Sequence, residues 1–114
     1  MSEKCLFCQI ANGDIPAQKV FENEQIVAFK DIHPQAKLHL LFVHKKHTEN
    51  INEMIGDELS IVQIFKAISE YTRSNELHHE GFRIVSNQGK AAGQSVFHTH
   101  FHLIGGEQLG AFGR

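Results

Sequence analysis

The sequence predicts one domain that combines helices with an antiparallel β-sheet. Its 114 residues are the usual size of a single domain, and we treat residues 1–114 as one. Hydrophobic residues make up 41% and charged residues 21%, which is ordinary for a soluble globular protein. Segments with strand-like periodicity follow one another through short, hairpin-like connections, and such connections join antiparallel strands.

The N-terminal half is predicted to hold one short helix and three strands. The helix is expected over 5–12, and the strands over 19–22, 25–30 and 38–44. Asn23-Glu24 turns the first two strands into a hairpin. The third strand is strongly apolar and places His39, Leu41 and Val43 on one face. A polar connection over 45–50 follows it.

The C-terminal half is predicted to hold a long helix and two more strands. Apolar residues recur at helical spacing over 57–73, at Ile61, Ile64, Phe65, Ile68 and Tyr71. Asp57 suits the N-terminus of this helix and Arg73 its C-terminus. We expect a loop over 76–80, a strand over 82–87, a glycine-bearing loop over 88–94, a strand over 96–104 and an irregular tail from 105 to 114.

The last of these strands carries three histidines at a spacing of two residues. His98, His100 and His102 therefore share one predicted face, with mostly apolar residues between them. Three imidazoles at roughly 6.6–6.8 Å intervals form a face that is costly to bury without polar partners or a ligand. A metal site, a histidine-based catalytic site and a solvated polar face all remain open on this stretch alone.

The net charge and the lack of targeting signals limit the expected partners and cellular location. The formal net charge of −2 and the lack of a basic patch argue against a nucleic-acid polymer as partner. The sequence contains no apolar run near the roughly 18 residues that span a bilayer, which predicts no membrane association. Met1 to Lys4 lead into no apolar segment of a signal peptide, so we expect a cytoplasmic protein.

The two cysteines, Cys5 and Cys8, have the spacing C-x-x-C. In a reducing compartment this spacing indicates metal binding or redox chemistry rather than a structural disulfide. A thioredoxin-like motif should follow a strand, whereas this one begins the chain, so metal binding is favoured. Two inert thiols remain the alternative.

The loop before the histidine strand suits an oxyanion. Gly93 allows close backbone approach to a ligand, and Gln94 and Ser95 add an amide and a hydroxyl. Together with the histidines, these groups fit a phosphate. His39 is either a satisfied core residue or the orienting partner of another imidazole.

The chain resembles the histidine triad (HIT) family. His98-Thr99-His100-Phe101-His102-Leu103-Ile104 matches its H-x-H-x-H-x-x pattern. Further matches to the histidine triad nucleotide-binding (Hint) branch are collinear over nearly the whole chain, at 15–17, 28–36, 45–47, 87–89 and 93–96. The resemblance implies an α+β, HIT-like fold with a five-stranded antiparallel sheet and two helices. It also implies a homodimer that joins two sheets into one of ten strands.

The implied activity is hydrolysis of purine nucleoside phosphoramidates to a nucleoside monophosphate and an amine, without a catalytic metal. His100 matches the nucleophile that takes up the nucleotidyl group, His102 the ligand of the phosphate oxygens, and His39 the residue that orients the nucleophile. Ser95 matches a group near the leaving amine. The other implied nucleotide contacts are Leu6, Phe7, Ile10 and Phe29 at the base, Asp31 and Ile32 at the ribose, and Asn87, Gly93 and Gln94 at the phosphate.

We predict a structural zinc site formed by Cys5, Cys8, His47 and His98, because two thiolates and two imidazoles complete a tetrahedral shell. If strand 38–44 runs antiparallel to the histidine strand with His39 near His102, then its far end, followed by His47, approaches His98. Family members that keep both cysteines look similar in this respect.

Three functions remain in competition: the phosphoramidate hydrolase, a nucleotide-binding regulatory module with little turnover, and a metalloenzyme that uses the triad as metal ligands. The metalloenzyme is disfavoured because the sequence has no Asp or Glu between Glu80 and Glu107 to activate a water. The chain departs from the family in its tail, which lacks a Trp-containing ending, and at Lys30 beside the base pocket. Leaving-group preference and base selectivity are therefore open.

Overall fold

A five-stranded antiparallel sheet forms the centre of the computed structural model, which describes residues 5–111. The strands lie in the order β1-β2-β3-β5-β4. They are β1 Lys19–Glu22, β2 Ile26–Lys30, β3 Leu38–His44, β4 Phe82–Val85 and β5 His100–Gly105. The helices are α1 Leu6–Ala11, α2 Ile51–Met54, α3 Glu58–Ser74 and α4 Leu77–Glu80, and a 3₁₀ turn covers Lys90–Ala92. The predicted fold class is confirmed.

Each face of the sheet has its own apolar cluster, because successive strand residues point to opposite sides. On one face, α3 packs its buried side chains against the sheet, and the cluster comprises Ile26, Ala28, Leu40, Phe42, Met54, Ile64, Ala67, Ile68, Phe101 and Leu103. On the other face, α1 covers a smaller cluster of Phe7, Ile10, Val27, Phe29, Leu41 and Val43. His39, His100 and His102 belong to this second face, which therefore carries the candidate site.

The pairing of β3 with β5 brings the histidines together. Val43 lies opposite His100, Leu41 opposite His102, and His39 opposite Ile104. His39 and His102 are thus diagonal neighbours on one face, within reach of their side chains. The predicted antiparallel course of these two strands is confirmed.

The histidine strand is shorter than predicted, because β5 begins at His100 and not near residue 96. The chain before it follows the loop after β3 instead: the Thr99 N–H donates to the Thr48 carbonyl at 2.7 Å, and the two threonine hydroxyls lie 2.7 Å apart. His98 therefore does not share a strand face with His100 and His102. It lies at a bend, fully buried.

Smaller differences concern the connections. The long helix and the N-terminal helix match their predictions within a residue or so, but the single-turn helix α2 was not predicted, and 77–80, predicted as loop, forms α4. The predicted strand over 82–87 ends at Val85. Residues 108–111 of the tail are irregular as expected, and the rest of the tail, 112–114, lies outside the described residues, as do residues 1–4. Within 5–111, none of the helices has the length and apolar character needed to cross a bilayer.

Candidate functional site

A cavity of about 900 Å³ opens on the histidine face of the sheet, between α1, the end of β2 and β5. This is the size of a small-molecule site. Nine predicted nucleotide contacts line it: Leu6, Phe7, Ile10, Phe29, Asp31, Ile32, Ser95, His100 and His102. The other lining residues, for which the sequence predicts no nucleotide contact, are Ile15, Pro16, Ala17, Gln18, Lys30, His33, Leu41 and Val96. The lining therefore combines many apolar side chains with a few polar and ionisable ones.

His100 presents a free nitrogen to this cavity. Its Nδ1–H donates to the carbonyl of His98 at 2.7 Å, so a neutral ring keeps its lone pair on Nε2. Burial lowers the pKa of His100, and the hydrogen bond to the His98 carbonyl opposes this shift only in part. The ring is thus held neutral, with Nε2 as a nucleophile or base.

His102 is oriented by a chain of hydrogen bonds that begins at the backbone. The N–H of Gln35 donates to His39 Nδ1 at 2.9 Å, so the His39 proton is on Nε2. That Nε2–H faces His102 Nδ1 at 2.9 Å and the Asp31 carboxylate at 3.3 Å. His102 Nδ1 is then an acceptor, and the neutral His102 ring carries its proton on Nε2.

Both members of this imidazole pair are neutral. Burial lowers the pKa of His39, while the Asp31 carboxylate acts in the opposite direction. Burial, together with the neighbouring His100 and His39, lowers the pKa of His102 to about 4. A neutral His102 with its proton on Nε2 can donate a hydrogen bond to an anionic ligand.

These contacts put His39 beside His102, and its implied role at the nucleophile stays a prediction. The resemblance implied that His39 orients the nucleophile, His100. The structure instead pairs His39 with His102, while the carbonyl of His98 orients His100. The reason is the strand register, which puts His39 diagonally across from His102.

Of the predicted phosphate-side residues in the loop before β5, Ser95 lines the cavity, whereas Asn87, Gly93 and Gln94 are not among its lining residues. Gly93 has φ +93°, a left-handed conformation that favours glycine, and a Cβ placed there would lie 4.0 Å from Asn87 Nδ2. Ser95 is exposed and lines the cavity. Gln94 is different, because its buried side chain bonds to the backbone of Gly89, Glu49 and Val96. A nucleotide contact by Gln94 would therefore have to come from its backbone.

The four predicted metal ligands converge at the N-terminus of α1. His98 Nδ1 lies 3.3 Å from Cys5 Sγ, 3.4 Å from Cys8 Sγ and 3.1 Å from His47 Nδ1. His47 Nδ1 is also 3.4 Å from Cys8 Sγ. All four ligand atoms lie within 4.8 Å of one another, and the four distances above are close to the roughly 3.3–3.8 Å that separates ligand atoms in a tetrahedral zinc shell.

The position of the ring proton on His98 favours cation binding at this cluster. His98 Nε2–H donates to the His44 carbonyl at 2.7 Å, which leaves a lone pair on the Nδ1 that faces the other three ligand atoms. Burial lowers the pKa of His98 to about 4, so this Nδ1 stays unprotonated in the metal-free chain. In the same metal-free state, burial and the neighbouring Cys5 raise the pKa of the Cys8 thiol to about 11. A bound cation would reverse that preference for the thiol.

A second group of potential ligands does not fit a metal. Asp31, His39 and His102 also place ligand atoms within 4.8 Å of one another. A metal on His39 Nε2 would force the ring proton onto Nδ1, against the N–H of Gln35 that donates to this atom. The hydrogen-bonded chain described above accounts for this group instead.

Comparison with known proteins gives consistent matches. The family model of the HIT domain matches residues 12–109. An uncharacterized HIT-like protein of Methanocaldococcus jannaschii is 46% identical over 101 residues, which cover 88% of this chain and 77% of the relative. A HIT family hydrolase of Clostridium thermocellum superposes with a TM-score of 0.89 at 36% identity, covering 96% of each chain. A histidine triad nucleotide-binding protein of Candida albicans superposes with a TM-score of 0.81 at 27% identity, covering 97% of this chain and 86% of that one.

Proposed function

This chain belongs to the HIT domain family, and from that premise we propose that it hydrolyses purine nucleoside phosphoramidates through a covalent intermediate on His100. The observation that carries the proposal is the His98–His100 hydrogen bond, which leaves His100 Nε2 with its lone pair at the wall of a nucleotide-sized cavity. A similar fold belongs to the Clostridium thermocellum protein named a HIT family hydrolase. Another belongs to the nucleotide-binding protein of Candida albicans.

In the first step, His100 Nε2 attacks the phosphorus atom, and the bond between phosphorus and the amine nitrogen breaks. The amine leaves on the side of the Ser95 hydroxyl and takes up a proton from solvent water as the bond breaks. The nucleotidyl group is then bonded to Nε2, and Nδ1–H still donates to the His98 carbonyl, which stabilises the positive charge on the ring. The Nε2–H of His102 donates to a phosphate oxygen, where negative charge increases.

In the second step, water attacks the phosphorus atom and the bond to His100 Nε2 breaks. The electron pair of that bond returns to Nε2, the proton lost by the attacking water passes to solvent, and a nucleoside monophosphate leaves. Asn87, Gly93 and Gln94 would contribute phosphate contacts, Gln94 through its backbone. Asp31, which lines the cavity, would accept ribose hydroxyls. Phe7 and Phe29, an edge-to-face pair with centroids 5.4 Å apart, would lie beside the base.

We propose that Cys5, Cys8, His47 and His98 hold a structural zinc ion. The ion would fix the N-terminal segment against the loop after β3, and it would not take part in the reaction. The regulatory-module and metalloenzyme alternatives lead to different experiments, because one predicts nucleotide binding without a covalent adduct and the other a metal at His100 and His102.

We also propose that two copies pair. Several large apolar side chains of α3 and the edge strand β4 are exposed in the single chain: Leu59, Val62, Phe65 and Ile84. An open edge strand beside an exposed apolar helix face is the kind of surface that soluble proteins cover by association. Pairing there would extend the sheet across the dimer.

The test is a turnover screen of adenosine and guanosine phosphoramidates with His100→Ala beside the wild-type protein. His100→Ala should lose at least about a thousandfold in kcat while it still binds nucleoside monophosphate. Rapid quenching and intact-mass measurement should show a nucleotidyl adduct on the wild-type protein alone. The exposed His79 supplies the control, and His79→Ala should keep wild-type turnover. If His100→Ala retains a tenth or more of wild-type kcat, the covalent mechanism is wrong.

A further inference from the structure

Helix α1 belongs to two sites at once. Cys5 precedes it as the N-cap, with its sulfur accepting the N–H of Cys8 at 3.4 Å, and Cys8 is buried within it. Three other residues of the same helix, Leu6, Phe7 and Ile10, line the cavity. A helix of six residues has little stability of its own, so its position depends on tertiary contacts and on whatever the cysteines bind.

Phe7 connects the two sites directly. Its ring meets the His100 ring edge-to-face at 5.0 Å between centroids and at 90°. It also approaches the ring of His98 at 6.1 Å and 62°, while it packs on Phe29. One side chain on α1 thus touches a metal-ligating histidine, the nucleophilic histidine and the base pocket.

His98 forms a second connection, through the backbone. Its Nδ1 faces the two sulfur atoms, and its carbonyl accepts the Nδ1–H of His100 at 2.7 Å. A cation that holds the His98 ring would also hold this carbonyl. The orientation of His100 and the position of the pocket wall then respond to the same binding event.

We propose that the metal centre and the nucleotide pocket are thermodynamically coupled, so that zinc and nucleotide each strengthen the binding of the other, with Phe7 as the positioning residue between them. The inference rests on the proposed nucleotide-binding function and goes beyond it, because it makes zinc occupancy a control on nucleotide affinity. Coupling between sites is reciprocal, so one factor must describe both effects.

The experiment measures zinc occupancy of the wild-type protein against free zinc set by a chelator buffer, with and without saturating AMP. Buffering keeps free zinc constant whatever zinc AMP itself binds. The zinc affinity should rise by about 5–150-fold with AMP, and the AMP affinity should fall by the same factor when zinc is withdrawn. Far-ultraviolet circular dichroism of the metal-free chain should keep the sheet signal, since none of the four ligand residues lies in β1–β5.

Two variants distinguish coupling through the Phe7 ring contacts from a general stabilisation of the protein by zinc. Phe7→Leu keeps an apolar side chain on α1 but removes the ring contacts, and the factor should fall toward one while zinc still binds. Ile15→Ala removes another apolar side chain of the cavity wall, one that lies outside α1. It should weaken AMP binding with and without zinc and keep the factor.

Each outcome bears on a different statement. AMP binding to the zinc-loaded protein with no change in zinc affinity would overturn the coupling and leave the proposed function intact. An equal factor in wild type and Phe7→Leu would overturn the role of Phe7. Failure of AMP to bind the zinc-loaded protein at all would overturn the proposed nucleotide site, and the coupling with it.

Discussion

Replacement of Gln94 by methionine tests whether the side chain of this residue supports the loop before β5 or contacts a ligand. The Gln94 side chain is 4% exposed and makes three hydrogen bonds with the backbone. Its Oε1 accepts from Gly89 N–H at 2.8 Å, and its Nε2–H donates to the carbonyls of Glu49 at 2.7 Å and Val96 at 3.3 Å. Methionine keeps a similar volume and removes all three bonds.

The expected loss follows from these contacts. Each hydrogen bond contributes about 0.5–1.5 kcal/mol net, and two of the three have good lengths. Gln94→Met should therefore lower the free energy of unfolding by about 2–3 kcal/mol, or the thermal midpoint by roughly 8–12 °C for a domain of this size. KM should stay within a few-fold of the wild-type value, because the lost hydrogen bonds are internal to the protein and do not reach the cavity.

The assay is urea unfolding at one protein concentration with saturating zinc, since bound ligands and association both shift apparent stability. The matched control is Gln88→Met in the same loop, an exposed glutamine with one long hydrogen bond from Asn52 N–H at 3.2 Å. Gln88→Met should stay within about 0.5 kcal/mol of wild type. If Gln94→Met keeps wild-type stability but raises KM tenfold or more, the supporting role is refuted and Gln94 contacts the nucleotide.

The remaining predictions concern the metal, the dimer and one helix cap. Protein purified without chelator should contain about one zinc per chain and Cys8→Ser less; under about 0.2 zinc per wild-type chain would remove the site. Sedimentation equilibrium should give twice the 12.9 kDa chain mass at micromolar concentration, and Val62→Glu should give the single-chain mass; a wild-type monomer would contradict the proposed pairing. Lys46 and Ser60 hold the pKa of the Asp57 carboxyl at about 2, below its ordinary value. Its stabilising effect should therefore be complete above about pH 4 and disappear as pH falls through 2, so Asp57→Asn should show a shallower acid loss of unfolding free energy.

Periodicity predicted the sheet well but misjudged where the histidine strand begins. The alternation of polar and apolar residues continues back through His98, and nothing in that pattern shows how far the partner strand extends. The pairing ends where β3 ends, one residue beyond Val43, the partner of His100. Beyond it, the chain turns to bring His47 to the cysteines, and His98 follows that turn.

Periodicity alone leaves the contact partner of His39 open, and the zinc prediction took His39 to lie near His102, which the structure confirms. Both His100 and His102 share its face, and only the register between β3 and β5 decides between them. Helix α2, in contrast, had a usable signal. Asn50 caps Glu53 N–H at 3.0 Å, and the Glu53 carboxylate accepts the Glu49 N–H, which is close to a capping box. The pattern Asn50-x-x-Glu53 is visible in the sequence.

The division of the sheet into two faces has a consequence for engineering. In β3 and β5, side chains that pack against α3 alternate with side chains that face the cavity. Leu40 and Phe42 therefore point toward α3, and Leu41 lines the cavity. Substitutions at cavity-facing positions, such as Leu41 in β3 and Val96 in the loop before β5, change the smaller cluster on that face and leave the packing beneath α3 intact. A library aimed at altered ligand preference would therefore lose stability only through the smaller cluster, and most where the buried Leu41 is truncated.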